Sequence, residues 1–204
     1  MLIDIVDRAE AEARFGTPVE LFAEQTINQE EMELVANSLR KRRTHDVTFF
    51  IVDGQNLAVI RKPQFAHSIY RAPSGGIHPG ESVETGALRE AWEETGLTIE
   101  LDRYLLRIYA TFRSLDPWPG AATLPADMAD PDDPNVIHWW THVFQAHAVG
   151  DLRIDPVDTD EIAEARWATL AELQGPIRDA LIATNWSLFR YRVMLTDAAV
   201  ALLR

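Results

Sequence analysis

The apolar positions of the chain fall into three regimes. Over residues 44–174 they come mostly as short, β-rich runs. Val47-Thr48-Phe49-Phe50-Ile51-Val52 and Leu57-Ala58-Val59-Ile60 flank Asp53-Gly54-Gln55-Asn56, an Asp-Gly turn that predicts a hairpin. Ser68 to Arg71 predicts a short strand, residues 101–112 and 136–149 two long ones, and 164–168 a last short strand before a small helix over 170–173. Ahead of this region, residues 1–43 predict a helical extension. Asn28 or Thr26 would cap a helix from Gln29 to Arg42, with Met32, Leu34, Val35 and Leu39 as its apolar stripe. Behind it, residues 175–204 predict C-terminal helices, broken near Asn185-Trp186-Ser187 with Ser187 as a candidate cap. They are apolar enough to pack on the domain or to build a homodimer surface.

Residues 114–135 break the pattern. Five prolines and five aspartates exclude regular structure there, and a loop this long inside a compact domain is usually functional or disordered. Trp118, Trp139 and Trp140 are large enough to stack on a ring. Trp139 and Trp140 are neighbours on one predicted strand, so they point to opposite faces and one belongs to the core.

Residues 75–97, GGIHPGESVETGALREAWEETGL, carry the chemistry. Val83 to Thr95 predicts a helix of good helix formers, stopped by Gly96. Glu90, Glu93 and Glu94 lie at i, i+3 and i+4, so their carboxylates share one face. Three like charges there repel, and a hard divalent cation relieves the repulsion. Mg²⁺ or Mn²⁺ prefers such oxygens, and Mg²⁺ typically binds through a few carboxylates plus substrate phosphates. The glycines of the preceding loop let backbone approach a metal or phosphate closely. Arg89 can hold a carboxylate in a bidentate fork.

The stretch satisfies G-x5-E-x7-R-E-U-x-E-E-x-G-U, U being apolar, through Gly75, Glu81, Arg89, Glu90, Glu93, Glu94 and Gly96. Seven such identities coincide by chance on the order of once in 10⁸ start positions, so a merely solvated acidic helix is a poor account. The chain resembles the Nudix hydrolases. That resemblance implies an α/β/α sandwich with a mixed sheet, and a Mg²⁺-dependent pyrophosphohydrolase for which Mn²⁺ can substitute. It implies metal ligation by Glu90, Glu93, Glu94 and the carbonyl of Ser74. It gives Arg89 the task of orienting acidic residues, with Glu81 and Glu93 as candidate partners. A further ligand or general base is expected from the loop before the last strand, Glu161 first and Asp160 next; Glu90 and Glu93 are alternative bases. Arg71, Trp118 and Trp140 are the candidate substrate-binding residues. The expected substrate is a nucleoside diphosphate linked to another group, ADP-ribose or another sugar nucleotide first and (d)NTPs second. Residue 113 is Arg where ADP-ribose hydrolases carry proline, and the SQPWPFP-type signature of NADH pyrophosphatases is absent. The alternative function is a non-catalytic domain that senses a nucleotide metabolite.

Composition narrows the picture. A chain of 204 residues, 47% hydrophobic, suits one domain with extensions. No apolar run approaches the ~20 residues that span a bilayer, and MLIDIVDRAEAEARF lacks a signal-peptide pattern. Zero cysteines exclude disulfides, zinc-thiolate sites and thiol catalysis, the last used by isopentenyl diphosphate isomerases of the same fold. A cytoplasmic enzyme without a membrane partner is the expectation. A net charge of −13 disfavours non-specific nucleic-acid binding, and an anionic substrate would need metal ions to offset the repulsion. The one basic cluster, LRKRR at 39–43, fits cations meeting a helix C-terminus; the alternative is a contact to substrate phosphates or a partner subunit.

Overall fold

The structure, a computed structural model, describes residues 8–203. Its frame is one mixed sheet in the order β1-β5-β6-β2-β3-β7, where β1 is Val19–Ile27, β2 His45–Asp53, β3 Asn56–Arg61, β5 Ile99–Ser114, β6 Val136–Ala148 and β7 Glu164–Thr169. A short β4, Ser74–Gly76, pairs with β2 beside this path. β1 runs parallel to β5 and β6 parallel to β2, and the other pairings are antiparallel. The expected hairpin forms: Val52 pairs with Leu57 and Asp53 with Asn56, and Gly54 takes the positive φ of 58° that the turn requires.

The strand alternation of β2 sends side chains into two layers. Val47, Phe49 and Ile51 pack with Ala87, Ala91 and Phe144 under α3 (Val83–Thr95), where α1 (Arg8–Phe15) adds Ala11. Phe50, Val59 and Val143 face the other way, toward α2 (Gln29–Arg40) and α6 (Ser187–Val200), with Met32, Leu39 and Phe189. Between β7 and α6 lie α4 (Leu170–Glu172), a kinked turn through Pro176, and α5 (Arg178–Ala183). A sheet between helical layers is the α/β/α sandwich expected. Among the described residues, no helix is long and apolar enough to cross a membrane.

Three expectations need correction. Residues 19–27 are not helical: they form β1, in register with β5 from Val19–Leu106 to Ile27–Ser114. Its β-branched ends suit an edge strand, and β1 covers the otherwise open side of a 16-residue β5. The first seven residues of the supposed helical extension lie outside the described ones. Ser68 to Arg71 is not a strand; only Arg71 bridges, to Ile60. The cap of α6 is not Ser187. Trp186 holds that position without a side-chain bond, and Glu31 of α2 supplies the acceptor, its Oε1 taking the Leu188 N–H at 2.8 Å. The same Glu31 closes a capping box with Asn28 at the start of α2.

Candidate active site

Backbone chemistry sets the position of α3. Ser82 accepts the Thr85 N–H at its start. At its end Gly96 adopts φ 73°, and a Cβ there would lie 2.2 Å from the Asp155 carbonyl oxygen, so glycine is needed twice over. The loop after β6 docks onto this helix end and satisfies its last carbonyls: the Asp155 N–H donates to Thr95 O, and the Val157 and Asp158 N–H groups to Glu93 O. That docking sets Glu161 in the lining of the same cavity as the carboxylates of α3.

Arg89 is the hub. Its Nε and Nη2 grip both oxygens of Glu81 at 2.8 and 2.9 Å, and Nη2 also reaches Gly76 O at 3.0 Å. Its Nη1 donates to Glu90 at 2.8 Å and Glu93 at 2.9 Å. Arg89 therefore contacts both partners considered from sequence and Glu90 besides. These bonds push its own pKa up, the Glu81 bond most. Burial pulls Glu81 up, but Arg89 and the His78 N–H outweigh it and leave the net shift downward.

Glu90 and Glu94 are nearly buried. Burial raises Glu90 against the pull of Arg89, with Glu93 and Asp46 adding to the rise. Burial also lifts Glu94 to about 7, opposed by Arg71 and Lys62. Glu94 accepts the Ser74 N–H at 2.7 Å, and Arg71 stands 3.6 Å from its other oxygen. Gly75 lies flush against the Glu90 carboxylate, since a Cβ there would come within 1.8 Å of its carbon. Asp46 at the start of β2 gives one oxygen to Arg192 of α6 at 2.7 Å, while its Oδ1 is buried with no hydrogen bond.

The donor set suits a hard divalent cation. The Glu90 carboxylate lies against Gly75 where a Cβ would displace it, Glu94 reaches the Ser74 backbone, and an orphaned buried oxygen of Asp46 lines the same cavity. Among the described residues, no three acidic or histidine side chains form a ready-made metal cage, because Arg89 and Arg71 hold the carboxylates instead.

A cavity of about 560 Å³ opens from these groups, within the range of small-molecule sites. Of the residues singled out from sequence, Arg71, Ser74, Arg89, Glu90, Glu93, Glu94 and Glu161 line it together. Glu161 is held by Lys62 at 2.7 Å, which lowers its pKa; Asp160 is not in the lining, and Asp158 is. Trp118 and Trp140 are elsewhere. Trp118 is buried in the core beside α2, and Trp140 stacks on His45 with Arg8 over its ring. Trp139 is the tryptophan of that pair that faces the cavity. No residue of the 114–135 loop lines the cavity; the loop straps α2 instead, through Gln29–Pro117, Arg40–Thr123 and Arg42–Asp127. The basic cluster splits accordingly: Lys41 and Arg43 face the cavity while Arg40 and Arg42 hold the loop. Lys62, Asp46 and Arg192 were not identified from sequence, because lone charges far apart in the chain carry no local signal of convergence.

A model of the NUDIX domain matches residues 41–187. The chain belongs to the Nudix family. Its Nudix match starts just after α2 and ends where α6 begins, so α1, β1, all of α2 and all but the first residue of α6 lie beyond it. The chain is 29% identical over 160 residues to the NAD-capped RNA hydrolase NudC of Mycobacterium bovis (strain BCG / Pasteur 1173P2), covering 78% of this chain and 42% of that one. It is 41% identical over 51 residues to NudC of Chromobacterium violaceum, covering 25% and 19%. It thus spans less than half the length of the curated relatives it matches. A solved NUDIX hydrolase from Nitrosomonas europaea aligns over 66% of this chain and 77% of its own, at 18% identity and a TM-score of 0.44.

Proposed function

We propose that the protein is a Mg²⁺-dependent pyrophosphohydrolase that cleaves a nucleoside diphosphate linked to another group. The observation that carries this reading is one cavity lined both by Glu90, Glu93 and Glu94 and by Lys41, Arg43, Lys62, Arg71 and Arg192. Carboxylates able to hold metal and cations able to hold phosphate, in one pocket of a chain with net charge −13, fit a phosphate-chain substrate. Mg²⁺ or Mn²⁺, when bound, offsets charge on the phosphate oxygens and makes a water a better nucleophile. Glu90, Glu93, Glu94 and the Ser74 carbonyl are the groups that would hold it. Arg89 keeps Glu90 and Glu93 side by side, and the half-buried fork on Glu81 keeps Arg89 in place. Proton removal falls to a carboxylate of the cavity, Glu90, Glu93 or Glu161.

ADP-ribose or another sugar nucleotide is our first substrate, and (d)NTPs the second. The names of the relatives add dinucleotides of the NAD type. The test is phosphate release with a coupled phosphatase on ADP-ribose, NADH, dinucleoside polyphosphates, sugar nucleotides and (d)NTPs, with Mg²⁺ or Mn²⁺. Turnover should vanish with EDTA. It should fall at least about a hundredfold in Glu93→Gln, because loss of a group that would hold the metal directly costs no less than loss of an outer-shell partner, about 10- to 100-fold. Tight nucleotide binding with no turnover on any substrate would sink the hydrolase reading in favour of a sensor.

A further inference from the structure

The carboxylates occupy only one end of the cavity. Its other end is apolar and aromatic, with Val35 of α2, Phe65 of the loop after β3, Trp139 of β6, and Trp186, Leu188 and Phe189 at the start of α6. Phe65 packs edge-on against Trp186 and Phe189, with ring centroids 6.1 and 4.9 Å away, and Trp186 stacks on Phe189 at 5.8 Å. Phe65 and Trp186 are nevertheless half-exposed. A pre-assembled aromatic cluster with open ring area loses little freedom on receiving another ring.

The wall is also fixed in place. Glu31 ties the start of α6 to α2, the Tyr191 hydroxyl donates to Thr141 on β6 at 2.8 Å, and Arg192 donates to Thr48 and Asp46 on β2 at 2.9 and 2.7 Å. Phe189 and Arg192 are three residues apart on α6, so aromatic surface and cation share one helix face. Both line the cavity, with Arg192 on the side of Asp46 and the α3 carboxylates.

We propose that the cluster of Phe65, Trp139, Trp186 and Phe189 is a binding subsite for a planar heteroaromatic ring carried on a ribose phosphate, with the phosphate directed past Arg192 toward the carboxylates. This deepens the pyrophosphohydrolase reading and rests on it for the direction in which the substrate lies. Phe65, Trp139 and Trp186 fall inside the residues matched to the Nudix domain, and Phe189 of α6 with Val35 of α2 adds wall from beyond that match.

Calorimetric titration of the full chain in Mg²⁺ with AMP, UMP, nicotinamide mononucleotide and ribose 5-phosphate tests this. None of the four contains a phosphoric anhydride, so binding is read without turnover. At least one ring-bearing ligand should bind about five- to a hundredfold more tightly than ribose 5-phosphate, the range expected for a base on an aromatic platform. That advantage should collapse in Phe65→Leu and in Trp186→Leu, each checked for folding by circular dichroism. Both positions are half-exposed, and collapse in either folded variant supports the subsite. The rank order of the three rings names the ring. Four equal affinities, or an advantage that survives both substitutions, overturn the subsite. Hydrolysis failing while ring-dependent binding holds would remove only the catalytic reading, and the reverse result only the subsite.

Discussion

Glu94 shows how one residue's environment reaches the behaviour of the protein. Its side chain is folded into the layer between α3 and the Ser74 turn, where Arg71, the more distant charge of Lys62 and one backbone N–H meet its charge without offsetting the burial. The unfolded carboxyl titrates near 4.5 and the folded one near 7. Between those values the folded state holds more protons, so this group makes stability fall as pH rises through that window. A shift of that size corresponds to about 3 kcal/mol. In EDTA, the wild type should therefore lose stability between pH 5 and pH 8, and Glu94→Gln should lack that part of the slope. Urea unfolding at both pH values measures the difference. Equal slopes would show that Arg71 already neutralises the carboxylate. The residues of this cluster were legible in the sequence because all of them lie within one short stretch, where helical spacing alone places Glu90, Glu93 and Glu94 together. Asp46 and Arg192 were not, since 146 positions separate them and nothing local to either points to the other.

At the scale of elements, the sequence was read well where periodicity was strong and poorly where an element is defined by its neighbour. The hairpin of β2 and β3, the helix α3 and the long strands β5 and β6 follow from their own patterns. β1 does not: Phe22 is 79% exposed and Val19 48%, so this edge strand lacks the alternation that marks a half-buried one. α6 was read as a packing or dimer helix, and its N-terminal end turns out to wall the cavity. Glu31 is the joint between the two wall helices, accepting the N–H groups of both Asn28 and Leu188. Replacing it by alanine orphans both donors, and the expected loss is about 3 kcal/mol in urea unfolding, with Gln costing less than half as much. The 114–135 loop was expected at the substrate, but its Trp118 is 6% exposed in the core and its backbone N–H is held by Asn135. Trp118→Ala should accordingly cost about 3–5 kcal/mol of stability. Below its melting temperature, its KM for any substrate should stay at the wild-type value. A raised KM without loss of stability would return the loop to the substrate.

For the whole molecule, charge sets the terms on which an anionic substrate arrives. The cavity is lined by six cationic side chains (Lys41, Arg43, Lys62, Arg71, Arg89, Arg192) and six carboxylates (Asp46, Glu90, Glu93, Glu94, Asp158, Glu161), so it is close to neutral before metal binds. The chain as a whole carries −13. At about 0.01 M salt the Debye length is roughly 30 Å, so an approaching nucleotide feels most of the molecule. At about 0.15 M the length falls to roughly 8 Å, and only the cavity and the Mg²⁺ supplied to it remain in view. Repulsion should therefore limit encounter at low salt, and kcat/KM at saturating Mg²⁺ should rise over that range, while kcat stays nearly constant. This is the reverse of what a basic active-site funnel produces, where salt slows association. Steady-state kinetics on whichever nucleotide proves to be turned over, across a series of KCl concentrations, decides it. A kcat/KM that falls with salt would mean that the field of the local cations outweighs the net charge of the chain. Lys41, Arg43 and Lys62 in the cavity lining would then be guiding the phosphates in, and charge-reversing them one at a time would flatten the salt dependence.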